Sequence, residues 1–207
     1  MTLYSPRIDD ALQFTADAFR TIARKGSKVP YLTHLLQVMV TVGEHGGDED
    51  QLIAALLHDY LEDVPGADAA LLRERFGDRV LRMVEALSDA TAQPKPPWED
   101  RKRRYLRALA HEPHEVKLIS AADKLHNASS LDRDLTTLGA AVWSRFNAPM
   151  DRSLWYYRAV IAALRHGWSH TIVDDLEAVV RRIHDRAGVP YVPADVGALL
   201  ADDAGPR

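Results

Sequence analysis

Apolar residues recur along most of this chain at three- and four-residue spacings, with polar positions filling the intervals. That period predicts helices over 9–25, 31–44, 49–63, 68–76, 78–89, 98–110, 114–131, 151–165 and 171–187. No β-branched alternation is long enough to predict a strand. Helix stops stand at Gly26, Gly46-Gly47, Pro65-Gly66, Gly77, Gly167 and Gly188. The segment Ala92–Pro97, with Pro94, Pro96 and Pro97, reads as a rigid loop rather than a domain boundary. Beyond Gly188 the chain is rich in Pro, Gly and Asp and reads as a weakly structured tail. The expectation is an all-α bundle of about eight to ten helices. It occupies one domain over 1–187, followed by a C-terminal tail over 188–207.

Composition narrows the chemistry. A chain of 207 residues, 46% hydrophobic, buries enough surface to fold without cross-links. It has no cysteine, which excludes a disulfide scaffold, a thiolate zinc site, an iron–sulfur cluster and a cysteine nucleophile. Any metal must therefore be held by imidazole and carboxylate, and 9 histidines are present. With 26 Lys+Arg against 30 Asp+Glu the net charge is -4, which is not the balance of a general nucleic-acid binder. A local basic pocket for a small anion remains compatible with it. Apolar runs such as Leu52–Leu57 and Ala159–Leu164 fall far short of the ~18–20 residues of a membrane span. The first residues carry Arg7, Asp9 and Asp10 with no apolar run behind a basic start, so no secretory signal is expected. These features predict a cytoplasmic globular protein with neither membrane nor nucleic acid as partner.

The sharpest chemical signal is His58-Asp59-Tyr60-Leu61-Glu62-Asp63, at the end of the apolar run from Leu52. The spacing pairs His58 with Glu62 and Asp59 with Asp63 on neighbouring strips of one helix. A lone His-Asp pair often just caps a helix. Acids crowded at the end of a buried run, however, cost stability unless a cation or proton neutralises them. Two other helices carry matching groups. Pro30-Tyr31-Leu32-Thr33-His34 sets a histidine early in an apolar helix, and Ala122-Asp123-Lys124-Leu125-His126-Asn127 sets an aspartate inside another. His34, His58, Asp59 and Asp123 form a two-nitrogen, two-oxygen set suited to Mn²⁺, Fe²⁺ or Zn²⁺.

The order His…His-Asp…Asp resembles the HD superfamily of metal-dependent phosphohydrolases. The fuller pattern adds Pro-Tyr-x-x-His upstream, His-Asp-x-x-Glu-Asp in the middle and Ala-Asp-Lys-Leu-His-Asn downstream. Over about residues 10–165 it resembles the hydrolase domain of the RelA/SpoT proteins and the single-domain small alarmone hydrolases. The resemblance implies an HD-domain bundle that holds Mn²⁺ and removes the 3′-pyrophosphate from (p)ppGpp or its adenosine analogues. It implies His34, His58, Asp59 and Asp123 as metal ligands, and Glu62 and Asp63 as the acids that orient and deprotonate the attacking water. It further implies substrate contacts from Asn127, from the basic pair Arg24-Lys25, and from Arg152 with Tyr156 one turn later. A substrate with phosphates at both 3′ and 5′ positions also calls for cations around the acidic centre, and Arg101 and Lys102, in a basic run that otherwise reads as a solvated helix face, are candidates. Trp98, Trp155, Tyr156 and Tyr157 are candidates to hold a purine by its face.

The chain departs from the long enzymes around the nucleoside. Leu35 stands where proline is common, and Ala128-Ser129-Ser130 lacks their frequent arginine. Two other readings stay open: an HD phosphatase acting on another phosphorylated nucleotide such as NADPH, and a catalytically silent nucleotide-binding HD domain.

Overall fold

The computed structural model describes residues 4–88, 96–146 and 148–201, so the proline loop expected over 92–97 falls mostly outside the described residues. The described residues form two compact units. One holds residues 4–88 with 114–122, and the other holds 96–113 with 123–201. No strand occurs among the described residues; one isolated bridge joins Ala23 and Pro30.

In the first unit, Ser5 caps α1 (Pro6–Ala18) by accepting from Arg7 N, and Pro6 fits the first turn, where no backbone donor is needed. The expected helix over 9–25 stops seven residues early. Phe19 is buried at its end, and the next residues pair across a loop instead: Arg24 N donates to Val29 O at 2.8 Å, and Tyr31 N to Ile22 O at 2.9 Å. Gly26 turns this loop at φ 70.

The α2 helix (Leu32–Glu44) buries Leu35, Val38 and Val42 completely. Asp48 and Gln51 then form a reciprocal capping box that starts α3 (Glu49–Leu57). Ile53 through Leu57 are fully buried, which fixes the height at which the following residues emerge. The helix expected over 49–63 is interrupted at His58-Asp59, and a short α4 (Tyr60–Asp63) continues beyond. Asp59 is the kink, at φ -98 and ψ 3. Helices α5 (Ala69–Phe76) and α6 (Asp78–Leu87) pack on each other, and α6 also packs on α3. Arg79 of α6 reaches Asp48 at 2.7 Å and Asp50 at 3.2 Å, so one guanidinium ties the start of α3 to α6.

The second unit begins with α7 (Trp98–His111). The long α8 (His114–Leu138), of which residues 123–138 belong to this unit, runs seven residues past its expected end to Gly139 at φ 57, and a 3₁₀ segment covers Gly139–Arg145. α9 (Met150–Arg165) packs on α7 and on α10 (Thr171–Ala187). Leu106, Leu154, Leu164, Ile172, Leu176 and Ile183 close the core between them. Asp132 of α8 accepts from Arg182 at 3.1 Å and Arg186 at 2.6 Å; these two arginines outweigh its burial and lower its carboxyl pKa.

The tail expected to be weakly structured is instead held to this unit as far as Ala201. Left-handed Gly188 ends α10 and turns the chain back. His184 Nδ1 then donates to Val189 O at 3.1 Å, and the Arg181 guanidinium lies 4.2 Å from the centre of the Tyr191 ring. A final α11 (Val196–Ala201) contacts α7 and α9. Proline and glycine content does not prevent this order, because prolines at 190 and 193 are compatible with an ordered extended strap.

Candidate metal centre

The centre is built where α3 runs out. Its buried apolar residues bring His58 to the helix end with 3% of its side chain exposed. There His58 Nδ1 donates to the Ala55 carbonyl at 2.8 Å, one of the last carbonyls of the helix. In the neutral ring this bond puts the proton on Nδ1 and leaves the Nε2 lone pair for a ligand. His34, in the first turn of α2 and wholly buried, approaches the same point.

The meeting point is one oxygen of Asp59. His58 Nε2 lies 2.9 Å and His34 Nε2 3.6 Å from Asp59 Oδ2, and the two imidazole rings are 5.2 Å apart at 72°. One donor atom from each of the three lies within 4.8 Å of the others, the one such group of His, Cys, Asp or Glu among the described residues. Donors 2.0–2.2 Å from a small divalent ion stand about 3–3.5 Å from one another, so this spacing fits such an ion. Burial penalises the Asp59 charge, yet the neighbouring His58 and His34 hold its carboxyl well below the usual carboxylate range. Two imidazoles and an ionised carboxylate are the donor set of a borderline metal.

Tyr31, which the sequence shows only as part of the Pro-Tyr-x-x-His pattern, completes this cluster. Its hydroxyl donates to Asp59 Oδ2 at 2.7 Å, its ring stacks on Phe19 at 5.5 Å, and Arg24 lies 5.7 Å from the ring centre. Its signal was available: it stands three residues before His34, hence one turn away on the same helix. Tyr31→Phe is expected to weaken divalent-metal affinity by about 10–100-fold, the usual effect of losing a group that orients a ligand. Calorimetric Mn²⁺ titration measures this, and unchanged affinity would refute the role.

Glu62 and Asp63 lie on α4, half-buried and exposed respectively, within one turn of Asp59; Asp63 N donates to the Asp59 carbonyl at 2.9 Å. Arg24 and Lys25 stand at the tip of the loop that precedes α2.

The other expected residues belong to the second unit. Asp123 is buried on α8, where its Oδ1 accepts from Asn127 Nδ2 at 2.6 Å and its Oδ2 pairs with the Lys124 ammonium. Lys102 Nζ lies 5.0 Å from the centre of the Tyr156 ring, and Trp98 lies 6.0 Å from that ring. These two expected substrate residues are therefore in contact. Arg101 Nε donates to Pro96 O at 3.2 Å, and Arg152 faces Glu99 at 3.6 Å. Tyr157 is a core residue, while Trp155 and Tyr156 are half-buried.

Residues 11–149 match the HD domain family, and the chain belongs to it. Among its relatives is the guanosine-3′,5′-bis(diphosphate) 3′-pyrophosphohydrolase of Danio rerio, 32% identical over 127 residues that cover 60% of this chain and 68% of that protein. The enzyme of the same name from Aquifex aeolicus is 32% identical over 129 residues, 62% of this chain and 18% of that protein. The chain thus spans less than a fifth of the Aquifex protein. A solved structure of a metazoan SpoT orthologue, described as hydrolysing ppGpp, superposes with a TM-score of 0.71 at 26% identity, covering 92% of this chain and 100% of that one.

Metal loading is expected to stabilise the fold, because the ion would bind α2 and the end of α3 at once. A ligand specific to the native state adds about 2.7 kcal/mol at a hundredfold excess over its Kd. Thermal denaturation with Mn²⁺ against EDTA tests this, and an unchanged Tm at saturating Mn²⁺ would contradict the site.

Proposed function

We propose that this chain is a metal-dependent 3′-pyrophosphohydrolase of nucleotide alarmones, acting on (p)ppGpp and (p)ppApp with Mn²⁺ as its working ion. The observation that carries the reading is the convergence of His34, His58 and Asp59 one helical turn from two further carboxylates, Glu62 and Asp63. The named activities of the Danio and Aquifex relatives supply the substrate class. In this reading Asp123 is the fourth ligand, as the sequence resemblance implies.

A divalent ion on these groups would supply Lewis acidity and lower the pKa of bound water towards about 7. The protein's own residues do the rest. Glu62 aligns the attacking water and takes its proton, with Asp63 beside it. Water attacks the phosphorus joined to the 3′ oxygen, and that P–O bond breaks. Pyrophosphate departs, and the 3′ oxygen is protonated to leave a nucleoside 5′-di- or triphosphate. Asn127, Arg24, Lys25, Arg101, Lys102 and Arg152 hold the nucleoside and its phosphates, and Tyr156 with Trp98 supports the base. In this reading the protein works in the cytoplasm, in the stringent response.

Product analysis with ppGpp, ppApp and NADPH side by side tests the reading. We expect pyrophosphate from both alarmones, because a base held by its face is discriminated weakly. Orthophosphate from NADPH without pyrophosphate from either alarmone would favour the phosphatase reading. A guanosine preference above about a thousandfold would require a buried polar contact to the guanine edge.

A further inference from the structure

We propose that the cavity between α9 and the C-terminal strap is a binding site for a small organic carboxylate with a compact apolar body, seated by Arg158. It is separate from Arg152 and Tyr156, the α9 residues of the proposed hydrolysis. An α-helix turns through about 100° per residue, so Arg152 and Tyr156 share one strip of α9, while Arg158, Ile161, Ala162 and Arg165 share another on the far side.

The chain that follows α10 leaves a cavity of about 320 Å³ against this far strip. Sites for small organic ligands begin at about 300 Å³. Much of the lining is apolar: Ile161 and Ala162 come from α9, and Pro193, Ala194 and Val196 from the strap and the start of α11. Tyr191 also lines the cavity. The Arg181 guanidinium lies over its ring at 4.2 Å, and its hydroxyl donates to Glu177. These contacts hold the strap, so the cavity is built into the fold.

Two guanidinium groups line this space, those of Arg158 and Arg165, along with the imidazole of His166. Arg165 is balanced by Asp174 at 2.7 Å and Glu177 at 2.5 Å. Arg158 is not. Its Nε donates to Leu154 O at 3.4 Å and its Nη1 to Val192 O at 3.0 Å, and no carboxylate pairs with it among the described residues. Those bonds use two of the five N–H donors of a guanidinium and leave the Nη2 pair. Asp195, beside two lining residues, instead gives its Oδ1 to Gly197 N at 2.8 Å. A half-buried cation beside apolar surface is costly without a counter-ion. A carboxylate meets that need, because the planar guanidinium fork matches its two oxygens. One unbalanced charge selects a monoanion, and the apolar lining selects a hydrocarbon body. A dianionic phosphonate head would bring a second charge to a site with one unbalanced cation.

Calorimetric titration of the full chain with benzoate tests the site. A Kd at or below about 1 mM is expected for wild type. Benzyl alcohol, which has the same ring without the charge, should bind at least about tenfold more weakly, and phenylphosphonate no more tightly than benzoate. Arg158→Met should weaken benzoate at least about tenfold, the scale of one charge-assisted hydrogen bond. Because Arg158 also holds the strap through Val192 O, Ala162→Phe is the second variant. It fills the cavity while keeping the charge, and it should weaken benzoate by at least about the same factor. Far-UV circular dichroism checks that each variant is folded, and if Arg158→Met is not, Ala162→Phe decides. No benzoate binding to wild type at about 10 mM would overturn the proposal. Affinity within about twofold of wild type in Ala162→Phe would overturn it too, since a carboxylate held at the metal centre would be insensitive to that change. Phenylphosphonate bound about tenfold more tightly than benzoate would overturn the choice of a carboxylate.

Discussion

Asp59→Asn should abolish turnover while leaving the protein folded. Asp59 Oδ2 is the single atom on which Tyr31, His58 and His34 all converge, at 2.7, 2.9 and 3.6 Å. Asparagine keeps the shape but removes the charge, so the ion would lose its one carboxylate from this cluster. It would leave two imidazoles that also face an amide able to present its NH₂ to them. Lewis-acid stabilisation worth several kcal/mol is at stake, and about 4 kcal/mol corresponds to roughly a thousandfold in rate. We therefore expect kcat/KM to fall at least about a thousandfold and Mn²⁺ affinity to fall with it. The metal-free fold should persist, because asparagine keeps the shape and its amide oxygen can still accept from the Tyr31 hydroxyl. Steady-state kinetics, Mn²⁺ titration and metal-free thermal denaturation together check this. Turnover within tenfold of wild type would show that the ion is held elsewhere.

Glu62→Gln separates chemistry from metal binding. Glu62 stands on α4, one turn beyond His58-Asp59, and is half-buried rather than solvent-exposed. Glutamine preserves its length and hydrogen bonding but cannot accept a proton. The loss of a positioned base costs about 10²–10⁴-fold, so kcat should fall by at least a hundredfold with Mn²⁺ affinity within about threefold of wild type. Near-normal kcat would transfer the role to Asp63, which the exposed position of that residue makes the less protected base. A joint loss of metal affinity would instead make Glu62 a ligand, contradicting the separation of roles.

These two substitutions bracket what membership of the HD domain family means for this chain. The fold comes with the family, whose match spans residues 11–149. In the proposed reading, substrate choice would rest on other groups, among them Lys102, Tyr156 and Trp98, which stand together on α7 and α9.

Features that depend on near neighbours are legible along the chain. The 3.6-residue period located nearly all the helices, because burial of one face imposes it wherever a helix packs. The capping box at Asp48 and Gln51 and the stop at Gly188 are written in residues three or fewer positions from the helix ends. His58 and Asp59 were legible because the apolar run from Leu52 ends at them, and charge at the end of a buried helix is costly. The tertiary structure decided what depends on residues far apart in the chain. The early end of α1 at Ala18 follows from pairing of Ile22 with Tyr31, a contact no periodic pattern carries. The bond from Tyr31 to Asp59 spans 28 positions, and its direction depends on how α2 packs beside α3. The placing of Lys124 against Tyr105 likewise needed α7 and α8 side by side. A local pattern sets which face of a helix is apolar, but only packing sets which atoms of two such faces meet, because helix packing is resolved by side-chain shape rather than by hydrophobicity alone.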